Sequence, residues 1–243
     1  MNLLRRHGLT IIALILYWPG IFVLTHIPIS AMPLPLGVNL SDKVLHYIAY
    51  LSLAFLLWFA IYPNTKVNWK KAPIWWMLFV VVWYGVFDEW LQGYVGRDPD
   101  VLDFLADLGG AITALIMLSI FSFWTAALII TGASIFIFTN FVRANPDGFL
   151  IAAIVVFHLL SYAFFAVLWM RWMYYFVPVR MPEPKWLAGA LALPFGFLIL
   201  NDLFSLMVIG NGEPLGIVCS AAGIILPVFS AFLFARCRAK QTS

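Results

Sequence analysis

Five carboxylic acids, Asp42, Asp88, Glu89, Asp103 and Asp107, stand among His46, Lys43, Tyr50, Gln92 and Arg97. Asp88, Glu89, Asp103 and Asp107 fall inside apolar runs. A carboxylate placed in a membrane helix costs about 2.5–3.5 kcal/mol on insertion scales, so such residues default to functional candidates facing a bundle interior. Their spacing points to one site. Asp88 and Gln92 are four apart, as are Asp103 and Asp107, and Asp42, His46 and Tyr50 continue at that interval. Residues four apart share a helix face. Ionised together, the five acids would carry −5 against +2 from Lys43 and Arg97. Within a low-dielectric bundle some of them must carry protons, or a cation must sit among them. A protonated acid beside an ionised one is an arrangement for proton transfer. His46, Glu89 and Asp103 are the catalytic candidates. Asp42, Lys43, Tyr50, Gln92, Arg97 and Asp107 are the binding candidates, with Lys43 and Arg97 suited to an anionic group such as phosphate. One histidine amid scattered carboxylates is not a specific metal signature, so no metal ligand and no cofactor is assigned.

The elements that must position these residues are membrane helices. Of 243 residues, 64% are hydrophobic and 10% charged, where an ordinary soluble domain carries about 25% charged residues. Mean hydropathy is +0.97. Such a chain needs an apolar medium around it, which excludes a soluble enzyme, a nucleic-acid binder and a disulfide scaffold. Eight apolar segments are read, at about 10–26, 44–61, 74–92, 101–121, 123–141, 149–171, 186–209 and 215–235. The fold class is therefore all-α, a polytopic membrane bundle of about eight transmembrane helices. Arg5 and Arg6 precede the first segment as in a signal peptide, but Ile29-Ser30-Ala31 is a poor cleavage site, so the segment is read as a retained span.

Charge sorts by side of this thread. Eleven of the fourteen Lys and Arg fall on one side, and only Lys43, Arg97 and Arg143 on the other. The positive-inside rule then places both termini in the cytoplasm. Ten of the eleven acids fall at or below the outer face; of these, Asp98, Asp100, Asp147 and Glu213 are read as solvated loop acids. Tryptophans gather at the inner ends, with mainly Trp90 on the outer side. Cys219 and Cys237 fall near opposite ends of one helix and are read as packing residues.

Ser41-Asp42-Lys43-x-x-His46-x-x-Ala49-Tyr50, then Glu89-x-x-Gln92, Gly96-Arg97 and Asp103-x-x-x-Asp107-x-x-Gly110 form a combination that resembles the VanZ-like family of bacterial membrane proteins. The resemblance covers about residues 8–120. It implies a bacterial plasma-membrane protein acting at the cell envelope, in a family associated with low-level resistance to the glycopeptide teicoplanin and without an established biochemical activity. The polar set it carries over is Asp42, Lys43, His46, Tyr50, Glu89, Gln92, Arg97 and Asp103. Two departures stand out. Asp107 occupies a position where the family usually has Asn, and the loop from Gln92 to Arg97 is about one residue short. If that Asn donates a hydrogen bond, Asp107 must be protonated to replace it.

Residues 1–121 are thus read as a four-helix membrane domain carrying the site, and 122–243 as a second four-helix region. At a shift of 114 the second half looks like a faded copy: Thr25 meets Thr139, Trp58 meets Trp172, Asp88 meets Asp202, Gly96 meets Gly210 and Gly109 meets Gly223. His158 is read as a hydrogen-bonded packing residue, and Asn201 and Asp202 as neighbours of the main site. Three functional readings stay open. The leading one is an outward-facing site that binds or modifies a lipid-linked or peptidoglycan-related molecule, with the bilayer as partner. The second is a proton- or cation-coupled transporter. The third is an accessory subunit whose polar residues hold helices together. Below the acids the segments at 44–61, 74–92 and 101–121 offer almost only apolar residues, with Ser52 the main exception, which favours a one-sided site.

Overall fold

In lipid every backbone N–H and C=O must find its partner within the chain, which leaves the helix as the element for long apolar runs. A computed structural model describes Leu14, Ile15, Trp18 and residues 32–33, 39–40, 42–62, 65–94, 100–144, 151–179, 181–210 and 212–241. Among these are seven helices: α1 (Asp42–Ile61), α2 (Ala72–Gln92), α3 (Val101–Ile120), α4 (Phe123–Ala144), α5 (Ile151–Phe176), α6 (Pro184–Val208) and α7 (Pro214–Gln241). All seven are long and apolar enough to cross a membrane. A two-residue antiparallel pairing, Met32–Pro33 with Asn39–Leu40, precedes them. The segment expected at 10–26 lies almost wholly outside the described residues. The other seven are found close to where the apolar runs place them. The differences are at their ends: α5 continues to Phe176 and takes in Arg171, read from sequence as a loop residue, and α7 continues past Arg236 and Arg238. Long cationic side chains can extend from a helix end toward water, so apolar content understates helix length there.

The described residues divide into two compact units, with the division between Ser134 and Ile135 inside α4, rather than before that helix. In the first unit α1 is the central helix, with 67% of its apolar window buried against 39% for α2 and α3. Its closest partner is α3. A Cβ added to Gly110 of α3 would stand 2.1 Å from the Tyr47 carbonyl oxygen and 2.9 Å from the Leu51 nitrogen, so the two backbones touch there. Close approach through a small residue is the usual way for membrane helices to gain dispersion contacts. Phe55, Phe59 and Phe123 stack beside this pair, and Ser52 bonds Ser134 at 2.8 Å. At the far end the loop before α2 closes on α3: Val67 N–H donates to Leu118 O and Lys66 Nζ to Ile120 O. Terminal carbonyls without helical partners favour a cation there. Meanwhile α2 turns Trp76, Phe79 and Trp83 outward as an apolar surface.

The second unit repeats the device. A Cβ on Gly223 of α7 would stand 2.4 Å from the Leu159 carbonyl oxygen and 3.1 Å from the Ala163 nitrogen of α5. Ala166, Met173, Trp186, Ala190, Val228 and Phe232 form the core near one end. The close-packed and buried residues of the two units line up at shifts of 112 and 113, beside the shift of 114 read from sequence. Gly110 and Gly223 differ by 113, and His46 with Tyr50 precede His158 with Tyr162 by 112. The buried Met77, Val81, Gly85, Asp88 and Gln92 of α2 precede the buried Ala190, Pro194, Leu198, Asn201 and Ser205 of α6 by 113. Gly109, paired with Gly223 by the sequence shift, faces only the Tyr47 ring at ordinary contact distance.

These contacts predict a sharp contrast among glycines. Gly110→Ala and Gly223→Ala force backbones apart and should each destabilise by roughly 1–3 kcal/mol, the range for overpacking. Gly196→Ala meets nothing within 4 Å and should be neutral or gain up to about 1 kcal/mol, since Gly weakens a helix interior. Thermal unfolding of the purified variants in detergent reads this; wild-type melting of G110A would contradict the backbone contact.

Candidate functional site

α1 and α3 run parallel and α2 runs against them, so two helix N-termini and one C-terminus gather at one end of the first unit. Helix N-termini favour carboxylates, and Asp103 lies in the first turn of α3. The last turns of α2 bring Asp88, Glu89 and Gln92 to the same place, all buried. His46, Tyr50, Asp103 and Asp107 are buried with them.

The polar contacts run across helices. His46 Nδ1 lies 3.0 Å from Asp107 Oδ1. With an ionised Asp107 the Nδ1–H donates, which leaves the Nε2 lone pair free on the opposite edge of the ring. Among the described residues Nε2 has no hydrogen-bond partner. Lys43 Nζ donates to Asp100 Oδ2 at 2.6 Å and to Asp103 Oδ1 at 3.0 Å. Glu89 Oε2 accepts the Asp100 backbone N–H at 2.9 Å, and Glu89 Oε1 accepts Gln92 Nε2 at 3.3 Å. Tyr50 packs its ring 5.8 Å from Tyr84, whose ring meets Trp18 edge-on at 5.2 Å.

Of the residues singled out by sequence, the structure brings Lys43, His46, Tyr50, Asp88, Glu89, Gln92, Asp103 and Asp107 to this one end. Asp42 opens α1, but its side chain and the whole of Arg97 lie outside the described residues. The Lys43 ammonium, read as a phosphate holder, is engaged by two carboxylates. Asp100, read as a solvated loop acid, is part of the site. It caps α3 by accepting the Leu102 N–H at 2.9 Å, bonds Lys43, and presents its own N–H to Glu89. An Asp just ahead of an apolar run is an N-cap signal, and that signal was present in the sequence. Asp100 lies outside the spans, and the Lys43 ammonium, helped by the Leu102 N–H, holds its carboxyl below the ordinary carboxylate value.

Deeper in the first unit the described polar side chains are few, and Tyr47 donates to Thr113 at 2.8 Å. Ser52 is paired with Ser134, and its neighbours Leu53, Ala54, Phe55, Leu57 and Trp58 are buried apolar residues. The second unit holds a different polar set. Arg143, read as an outer-loop base, is buried in the last turn of α4 and pairs with Asp202. Asn140 Nδ2 donates to Asn201 Oδ1 at 2.7 Å, and Asn201 Nδ2 to the Tyr162 hydroxyl at 3.1 Å. His158 Nδ1 lies 2.9 Å from Ser220 Oγ, so the histidine is hydrogen-bonded as read. Asn201 and Asp202, read as bordering the main site, take these partners in the second unit. At the 113-residue separation, Asp103, Asp107, Asp88 and Gln92 give way to Gly216, Ser220, Asn201 and Ser205.

No family model, no curated protein and no solved structure matches the chain.

The rim of the site predicts an order of effects. Lys43→Met strips the buried Asp103 of its ammonium partner and should cost roughly 1.5–3 kcal/mol, the range for hydrogen bonds to charged groups. Asp100→Asn should cost less, because Asp100 is exposed and solvent screens its ion pair. The Asp100 carboxyl is depressed in the folded state, so its contribution is present above the ordinary carboxylate range and fades as pH falls through it. D100N should therefore flatten part of the acid-side loss of stability. Thermal unfolding between neutral and acid pH, at low and high salt, checks both; equal losses for K43M and D100N would contradict the assignment.

Proposed function

We propose that this is a multi-pass, VanZ-like bacterial plasma-membrane protein whose polar site opens on the extracytoplasmic side and binds or modifies an anionic envelope component, lipid-linked or peptidoglycan-related. The observation that carries the reading is the one-sidedness of the site. Four buried acids, a histidine and a glutamine from three helices meet at one end, and the described residues beneath them are mostly apolar. The excess of Lys and Arg on the opposite side of the thread supports an outer position for that end, near the depth of lipid headgroups.

In this reading His46, held by Asp107, serves as a base through Nε2. Glu89 and Asp103 give and take protons around it. Gln92 and the Asp100 N–H orient Glu89, and Lys43 orients Asp103. Arg97 meets the anionic group of the substrate. The second unit supports the first. We propose that it descends from the same ancestral helix unit, which kept the Gly-mediated contact, the His-x-x-x-Tyr stripe and acids at the places of Glu89 (Asp202) and Asp100 (Glu213), and lost Asp88, Asp103 and Asp107.

The test is complementation. A strain lacking the gene is given wild type, Glu89→Gln or His46→Asn, and its lipid-linked precursors, peptidoglycan composition and teicoplanin susceptibility are compared. Both variants should reach the membrane at normal levels and leave the deletion profile unchanged. Full restoration by E89Q would end the chemical reading. A proton or cation flux in proteoliposomes that E89Q abolishes would replace it with transport.

A further inference from the structure

The acidic end holds more than a proton relay. Asp88, Glu89, Asp103 and Asp107 are each under 10% exposed, and one lysine reaches them among the described residues. One ligand atom from each of His46, Glu89 and Asp103 lies within 4.8 Å of the others. Ligand atoms bound at about 2.0–2.2 Å to a common ion lie within that separation of each other. His46 is fully buried, and its Nε2 has no hydrogen-bond partner among the described residues, while Nδ1 is engaged by Asp107. A metal-ligating histidine is usually oriented in this way, with a carboxylate on the other nitrogen. The two acids also have outer partners: Gln92 and the Asp100 N–H on Glu89, and Lys43 on Asp103. Such second contacts fix the direction in which a ligand presents its lone pair.

We propose that His46, Glu89 and Asp103 form a binding site for one divalent transition-metal ion, Zn²⁺ or Mn²⁺, at the outer end of α1, α2 and α3. This rests on the functional reading above and names the group through which that site would hold an anionic substrate. The donor set selects the ion class. One imidazole with two carboxylates and no thiolate suits borderline to hard divalent ions rather than Cu(I). Ca²⁺ asks for six to eight oxygens, more than this set offers. Three protein ligands leave coordination positions for water and for an oxygen of a phosphate or carboxylate. His46, Asp88 and Asp107 make a second grouping of similar size. There Asp107 Oδ1 already holds Nδ1 at 3.0 Å, while its Oδ2 has no hydrogen-bond partner among the described residues. An Asp107 that holds Nδ1 stands on the ring edge away from Nε2, so we take the first set as the ligands and Asp107 as the residue that positions the ring.

The experiment uses the full chain, purified in detergent, stripped with chelator and titrated calorimetrically with Zn²⁺ alone and with Mn²⁺ alone. Elemental analysis of the reloaded protein gives stoichiometry. The expected result is one ion per chain. Glu89→Gln and Asp103→Asn should weaken binding by at least about 100-fold, and Asp107→Asn by about 10- to 100-fold, the usual effect of losing an outer partner. Glu183→Gln, on an exposed acid ahead of α6, should bind as wild type. The ion should also raise the melting temperature of wild type and not of D103N, which guards against variants that merely fold poorly. Absence of binding by wild type overturns the proposal, and so do E89Q and D103N that bind normally. Loss of binding in D88N with retention in E89Q overturns this ligand set in favour of the other. No envelope component enters the titration, so its result is independent of complementation. A metal-free protein with an E89Q-sensitive envelope profile removes the ion and keeps the function. A metal-binding protein with no such profile does the reverse.

Discussion

The contact between Gly110 and the Tyr47 carbonyl is the constraint on which the first unit depends. With no side chain between them, α1 and α3 lie at backbone distance, and their registry admits little slippage. Three residues before Gly110 on α3 is Asp107, and one residue before Tyr47 on α1 is His46, so the same contact sets those two side chains face to face. One turn nearer the end, Asp103 meets Lys43 in the same way. The site is therefore built by helix packing before any polar bond forms. Two straight helices, fixed at one point, carry their polar faces to a common end, and α2 closes the third side with Glu89 and Gln92.

The second unit supplies an internal comparison. Gly223 packs α7 on α5 just as closely, and His158 again faces the residue three before the glycine. That residue is Ser220, and Gly216 stands where the first unit has Asp103. A tight helix pair of this kind is thus achieved with a serine and a glycine where the first unit has two acids, and with Glu213 3.9 Å from His158 Nε2. If the acids of the first unit served only to hold helices together, a serine and a glycine would serve as well and without the cost of burying carboxylates. Asp88, Asp103 and Asp107, whose places in the second unit hold Asn201, Gly216 and Ser220, are charges that packing does not require, which argues against a purely structural role for those three.

Much of this was legible in the sequence because two signals were strong. Apolar runs bounded by charge located the seven described helices, and the four-residue spacing of Asp88 with Gln92 and Asp103 with Asp107 put polar groups on common faces. What escaped had physical causes. Two adjacent glycines, Gly109 and Gly110, offered two registers, and only the approach of the Tyr47 carbonyl separates them. Asp100 looked like a loop acid because its role is shared among a cap, an ion pair and a backbone donor, none of which depends on periodicity. Arg143 looked like an outer-loop base because a lone cation beyond an apolar run gives no hint of a carboxylate 59 residues later.

The hydrogen bonds at the site leave one account unsettled by packing: charge. Lys43 compensates Asp103 and shares itself with Asp100, whose exposed carboxylate solvent screens. His46 compensates Asp107 if the ring is protonated. Among the described residues Glu89 receives dipoles, from Gln92 and the Asp100 N–H, and those orient a negative charge without cancelling it. Two states resolve this. Protons on Glu89 or its neighbours would neutralise the cluster and leave His46 Nε2 idle. A divalent ion between His46, Glu89 and Asp103 would cancel the charge and use that nitrogen at once. The second state engages a buried atom that the first leaves with no partner, and in a low-dielectric interior an unused polar atom is the costlier arrangement.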